Sequence, residues 1–236
     1  VVGIHMHVGS QLTKVAPVQV IEWILRVPAE EQEVLESTAR REVADGFYIW
    51  QSDADGKRVP ATGRADYYPV YYAEPSVGNE TVLGFDLGSE PIHRAALEKA
   101  AQTGLATATP PLAPIQEIWR RQTIRVIQPF YAEPSSRQFA DNGEGTAKRP
   151  RAYAVAVVNL QSLLEGVMRQ ANAEPWIATH LVDLMDDQGP RLLATYPLSH
   201  DSGHPDFVEE AYLERYEAVD IGPLFADERA YAIIAH

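Results

Sequence analysis

The stretch Phe47-Tyr48-Ile49-Trp50, followed by Asp53, Gly56, Arg58, Ala61 and Thr62, is written a second time as His180-Leu181-Val182, followed by Asp186, Gly189, Arg191, Ala194 and Thr195. All five matched positions share one offset of 133 residues. A β-branched or aromatic run, an Asp/Gly turn and a second short run predict a strand, a turn and a strand. Each copy also closes on a similar run, Arg151-Ala152-Tyr153-Ala154-Val155 in the first and Arg229-Ala230-Tyr231-Ala232-Ile233 in the second. Shared openings and endings point to two related modules in tandem.

The first copy is much the longer, so it must hold an insert. Asn79-Glu80-Thr81-Val82-Leu83-Gly84-Phe85-Asp86 reads as a strand leading into Leu87-Gly88-Ser89, with Ser89 as the N-cap of a helix and Pro91 in its first turn. Ile92, Ala95, Ala96, Leu97 and Ala100 make an apolar face at helical spacing, and Gly104 is placed to stop the helix. Residues 123–128 read as another strand and residues 139–150 as a polar hairpin loop. Upstream, Glu30-Glu31-Gln32-Glu33 runs on to Arg40-Arg41, acids first and bases last, as the helix dipole favours. Residues 160–173 read as a linking helix. The expected class is α+β with mostly antiparallel strands: an N-terminal segment over 1–45, a larger module over 46–160, and a linker helix with a smaller module over 161–236.

With 33 acidic and 20 basic residues in 236, the formal charge is −13. That disfavours nucleic acid and anionic membrane surfaces as partners, since both draw affinity from a positive field. The absence of cysteine removes disulfides, thiolate nucleophiles and Cys-ligated metal sites. The longest apolar run, Tyr153 to Leu160, is far short of the ~20 residues that cross a bilayer. No phosphate-binding glycine loop, nucleophile elbow or catalytic carboxylate pair stands out, so neither enzymatic activity nor a cofactor is expected. His200-Asp201-Ser202-Gly203-His204, with Asp206, is the one candidate for metal-dependent hydrolysis, and its Ser-Gly-Pro surroundings deny the helix that would align the two histidines. Asp53-x-Asp55-Gly56 is better read as a turn than as a calcium loop, because Gln51 and Thr62 sit where acids belong.

Tyr68-x-Pro-Val-x-Tyr, then Pro75, Asn79, Gly84-x-Asp86, Ser89-x-Pro91, Arg94, Ala96-Leu97, Ala100 and Thr103-Gly104, resembles the CHASE domain, a sensory domain of transmembrane receptors. Trp23-Ile-Leu-Arg-Val-Pro28 before it and Gln128-Pro129-Phe130-Tyr131 after it fit in order. The resemblance implies a stalk helix followed by a distal and a proximal PAS-like module. It further implies a periplasmic or extracellular location, flanking membrane helices, homodimerisation, and a cytoplasmic output such as a histidine kinase, a diguanylate cyclase or a cyclic-di-GMP phosphodiesterase. The opening Gly3-Ile-His5-Met-His7-Val-Gly9-Ser10-Gln11 resembles a barrel-strand motif of pyridoxal-phosphate-dependent decarboxylases, but no barrel or cofactor-lysine context follows it.

In the plant members of that family, cytokinin is held in the distal module by an aspartate before the helix, and Asp86 matches that position. An ionised carboxylate in a partly dry cleft accepts two N–H bonds from a planar heterocycle or an amine. Equally, a short acid at such a junction caps backbone N–H groups. Strand alternation puts Val82 and Gly84 on the face of Asp86, with Gly84, Ala106 and Ala108 leaving room for a guest. Ala108 and Ile127 align with pocket positions of the plant receptors. Tyr68, Tyr72 and Tyr48 are placed to stack on a planar ligand or simply to pack. The expectation is a small-molecule sensing domain; an adenine-like ligand is implied only by the resemblance to the plant members, and the sequence itself does not name the ligand. The competing readings are a ligandless dimerisation ectodomain and the His200 hydrolase.

Overall fold

A computed structural model of the chain describes residues 17–112, 122–131, 149–173, 178–184, 189–197, 218–222 and 231–235. The chain opens with β1 (Val18–Leu25) and the short β2 (Val27–Pro28), then a 3-10 turn (Ala29–Glu31) running into helix α1 (Gln32–Glu42). Next come β3 (Trp50–Ser52), β4 (Arg58–Pro60), β5 (Asp66–Tyr67) and β6 (Val70–Glu74). Two further 3-10 turns (Glu80–Val82 and Leu87–Ser89) precede helix α2 (Pro91–Thr103) and β7 (Thr107–Ala108). The remaining elements are β8 (Thr123–Phe130), β9 (Ala152–Asn159), helix α3 (Leu160–Gln170), β10 (Thr179–Asp183), β11 (Arg191–Tyr196), β12 (Ala218–Gly222) and β13 (Tyr231–Ala235).

These strands make a five-stranded sheet in the order β6-β1-β9-β8-β7, a four-stranded sheet in the order β11-β10-β13-β12, and two-stranded pairs β2-β5 and β3-β4. The pairs β1·β6, β10·β11, β10·β13, β12·β13, β2·β5 and β3·β4 are all antiparallel. The class is therefore α+β, as expected. The chain divides into two compact units. One comprises residues 20–107 and 126–156, the other residues 1–19, 108–125 and 157–236.

The strands of both predicted hairpins pair. In the first, Trp50 faces Pro60 and Ser52 faces Arg58, and Asp53 Oδ1 accepts from the N–H groups of Asp55 (3.0 Å) and Lys57 (2.8 Å), so the acid builds a turn. In the second, Asp183 faces Arg191. Carried over by the shared offset, the first register would put Asp183 opposite Leu193, so the copies slip by two residues. A bulge between Leu181 and Val182 supplies one of them. The closing strands also differ in placement: β13 pairs directly with β10, whereas β9 lies in the five-stranded sheet and β3-β4 stands as a separate pair.

In the larger unit α1 has Glu33 in its first turn and Arg40 and Arg41 in its last. Glu36 Oε1 accepts the Ile49 N–H at 2.9 Å and Arg40 donates to the Phe47 carbonyl at 3.1 Å, tying the helix to the hairpin approach. Beneath it Val27, Ala39, Phe47, Ile49, Ala61, Tyr67 and Tyr71 form one buried cluster. A second gathers Ile24, Val70, Phe85, Leu87, Leu97, Ile127 and Tyr153; burying one such aliphatic side chain stabilises by about 1.5–3 kcal/mol.

Three local expectations are corrected. Residues 79–86 do not form a strand: Glu80–Val82 is a 3-10 turn, and Phe85 and Asp86 make single bridges to Trp50 and Pro69. Ser89 is not the cap of α2; Glu90 holds that position without a side-chain bond, and the Asp86 side chain caps the preceding turn instead. The buried face of α2 is His93, Ala96, Leu97 and Ala100, while Ile92 is 45% exposed and Ala95 points outward. That face is a strict i, i+3, i+4, i+7 stripe, one residue rotated from the hydrophobicity pattern because a buried histidine takes the place expected for isoleucine. The stop at Gly104 holds, with φ 73° and its N–H bonded to the Ala100 carbonyl at 2.9 Å.

In the other unit Asn159 caps α3, its Oδ1 accepting from Ser162 N–H at 2.8 Å. The buried Gln161 carboxamide takes the Thr195 N–H at 3.0 Å and donates to the Thr195 carbonyl at 2.7 Å. The predicted loop over 139–150 and the motif around His200 and His204 lie largely or wholly outside the described residues, as does the opening Gly3 to Gln11.

Candidate functional site

The segment from Gly84 to Leu87 is threaded between two other strands' backbones. Trp50 N–H donates to the Gly84 carbonyl (2.9 Å) and Asp86 N–H to the Trp50 carbonyl (2.8 Å); on the other side Gly84 N–H reaches the Val70 carbonyl (2.8 Å) and Leu87 N–H the Tyr68 carbonyl (3.0 Å). Paired on both flanks, the segment holds Asp86 at one place. Its carboxylate is fully buried, at 0% exposure.

A carboxylate offers about four acceptor sites, and three hydrogen bonds and an ion pair engage both oxygens. Oδ1 accepts from the N–H groups of Tyr68 (2.7 Å) and Gly88 (3.0 Å). Oδ2 accepts from Arg64 Nε at 2.9 Å, and Arg64 Nη2 lies at the same distance from it as an ion pair. The same Nη2 donates to Gln51 Oε1, and the Arg64 guanidinium lies 5.5 Å from the Tyr67 ring centre. Burying an acid this deeply without a counter-charge would be prohibitive, and Arg64 supplies it.

Burial still pushes the Asp86 carboxyl above its ordinary value of 3.8, against the opposing pull of its backbone donors and of Arg64. An acid raised in the folded state binds its proton more tightly folded than unfolded. Its favourable contribution is then complete below 3.8 and is lost as pH rises through the folded value. Asp86→Asn removes that titration. The stability of the variant relative to wild type is therefore expected to rise as pH climbs from 3.8 through the raised folded value, read as the difference between urea midpoints at each pH. Parallel curves would refute this.

Beside this acid lies a cavity of about 190 Å³. Arg64, Asp66 and Tyr68 enter it from β5 and its flanks, and Gly88 from the turn that Asp86 caps. Helix α2 contributes Arg94, Leu97 and Glu98. Gly88 sits close against its surroundings, since a Cβ there would meet the Tyr68 ring at 2.6 Å and Asp86 Oδ1 at 3.2 Å. Asp66 is itself paired with Arg26 at 2.9 Å. Tyr68 packs edge-on against Tyr153 at 5.9 Å, and burial, with the Asp66 charge adding to it, raises its hydroxyl pKa.

Among known proteins, the family model of the CHASE domain matches residues 8–194 of this chain. The chain belongs to the CHASE domain family. A weaker relative is the hybrid signal transduction histidine kinase A of Dictyostelium discoideum, 27% identical over 82 residues, which are 34% of this chain and 4% of that protein. The chain thus spans a small fraction of the length of the curated relative it matches. Membership identifies a sensory, non-catalytic domain of signalling receptors. No helix among the described residues is long and apolar enough to cross a membrane, and no cluster of three or more metal-binding side chains occurs among them.

Of the residues expected from sequence to meet a ligand in this CHASE domain, Tyr68 lines the cavity and Asp86 lies behind its wall through Arg64 and Gly88. Val82 and Ile127 pack with Tyr68 into the same core cluster, Ile127 fully buried. Gly84 does not open space as expected: at φ +79°, a Cβ would lie 2.2 Å from the Tyr48 carbonyl oxygen and 3.1 Å from the Trp50 ring. Ala106 precedes β7, and Ala108 is buried on it. Tyr72 is 48% exposed and packs edge-on against Tyr71 at 4.7 Å. The lining residues missed were Arg64, Ala65, Asp66, Gly88, Arg94, Leu97 and Glu98. For Arg64 a signal existed, since a buried acid demands a nearby cation.

Proposed function

We propose that this CHASE domain is the small-molecule input of a transmembrane receptor, situated outside the cytoplasm, dimeric through its stalk, and coupled to a cytoplasmic histidine kinase or cyclic-di-GMP enzyme. In this reading the two units correspond to a distal and a proximal PAS-like module, the larger one holding the ligand. Family membership and the histidine kinase relative support the signalling role. The observation that carries ligand sensing is the cavity of about 190 Å³ beside Asp86, bounded by an aromatic ring, an aliphatic side chain and charged groups. Such a mixture of apolar wall and few polar anchors is what small-molecule sites present.

Sensing requires only that the ligand bind one arrangement of the receptor better than the other. The test is a thermal-shift screen of adenine derivatives, amino acids and carboxylates against wild type and Asp86→Ala. A true ligand at about 100 times its Kd stabilises by about 2.7 kcal/mol, raising the midpoint by about 8 °C in a chain of this size. Absence of any shift across all three classes would leave the ligandless spacer as the better reading.

A further inference from the structure

We infer that the ligand carries a carboxylate and is held by Arg64 and Arg94, with Asp86 positioning Arg64 from behind instead of touching the ligand. This rests on the sensing reading above and names the chemistry of that site. Asp86 has no exposure, and both its oxygens are engaged by Tyr68, Gly88 and Arg64, so a heterocycle or amine could reach it only by expelling Arg64. Arg64 faces the other way as well. Its side chain is 21% exposed and lines the cavity, and its Nε and Nη2 are engaged by Asp86 and Gln51, while no acceptor among the described residues meets Nη1. Arg94, from the first turn of α2, enters the same cavity, and its guanidinium likewise has no acceptor among the described residues. Two guanidinium groups with spare donors, one held rigid by a buried acid, form a preorganised carboxylate receiver.

The acids of the lining set the charge of the guest. Asp66 is paired with Arg26 at 2.9 Å, and Glu98 lies one turn from Arg94 on α2. A doubly charged phosphate would meet about twice the repulsion from Glu98 that a single carboxylate meets. Tyr68 and Leu97 supply apolar wall for the remainder of the ligand. A volume of about 190 Å³ exceeds the ~150 Å³ of a cavity known to accept benzene, which makes benzoate a fitting probe.

Titration calorimetry of the 236-residue protein with benzoate, its neutral isostere benzamide, the cation benzylamine and inorganic phosphate provides the test. Benzoate is expected to bind and the other three to bind at least about tenfold more weakly, the worth of one charge-assisted bond. Arg94→Gln, on an exposed position, should weaken benzoate about tenfold with an unchanged melting midpoint; Arg64→Gln should weaken it further. Equal binding of benzamide or benzylamine, tighter binding of phosphate, no benzoate heat at 10 mM (about 2.7 kcal/mol of binding free energy), or unaltered affinity in Arg94→Gln would each overturn the inference. Those results leave sensing itself standing if the broader thermal screen still finds a ligand, and both readings fall together only if that screen is empty.

Discussion

Replacing Arg64 by methionine is expected to destabilise the protein by about 4 kcal/mol at neutral pH, the cost of leaving a buried charge without its partner. Asp86 would retain the Tyr68 and Gly88 donors on Oδ1 and lose the Arg64 hydrogen bond and ion pair on Oδ2. The loss should be strongly pH-dependent: Asp86 already titrates above its ordinary value, and without Arg64 it rises further, so acid restores part of the stability by neutralising the group. Adding Asp86→Asn to Arg64→Met should recover about 2 kcal/mol, since Asn keeps an oxygen for the two backbone donors and carries no charge. Urea unfolding of the two single variants, the double variant and wild type measures this. A cost under about 1 kcal/mol for Arg64→Met would mean the pair behaves as an exposed ion pair, contrary to its burial.

Gly84→Ala is expected to cost about 4 kcal/mol, placing it among the few largest single-site effects. Two penalties combine. A left-handed backbone costs a residue with a Cβ about 1–2 kcal/mol, and here φ is +79°. The new methyl would also sit 2.2 Å from a backbone carbonyl oxygen, that of Tyr48, which cannot swing aside without breaking the pairing of Gly84 to Trp50 and Val70. Gly63 offers the matching control, with φ +78° and nothing within 4 Å of its built Cβ. Gly63→Ala should therefore show the conformational penalty alone, about 1 kcal/mol. In melting experiments the two variants should fall about 12 °C and about 3 °C below wild type; equal shifts would show that the close approach of Tyr48 contributes nothing.

Much of the architecture was readable wherever it rests on local chemistry. Asp53 with Gly56 dictates a turn through its own side-chain bonds, Gly104 stops a helix by adopting a left-handed conformation, and the acid-to-base ordering of α1 follows from its dipole. The family-bearing positions around Asp86 were also visible in the sequence. What escaped depends on residues far apart in the chain. The stretch before Asp86 has strand-like composition, yet it is stitched to Trp50 on one side and to Tyr68 and Val70 on the other, so tertiary pairing overrides its propensity. Gly84 looked like room for a guest because a missing side chain carries no record of why it is missing. Arg64 sits 22 residues from Asp86, and no periodicity links them; the requirement that a buried acid find a cation predicts the need for a partner without saying which one.

The Gln161 side chain has one more consequence. Among the described residues strand β11 ends its sheet, and an outermost strand presents hydrogen-bonding groups that invite another polypeptide to add on. By meeting both the N–H and the carbonyl of Thr195, a single carboxamide imitates the peptide unit of a neighbouring strand at that point. A helix thus satisfies the peptide unit at that point of the edge, where another strand can no longer pair.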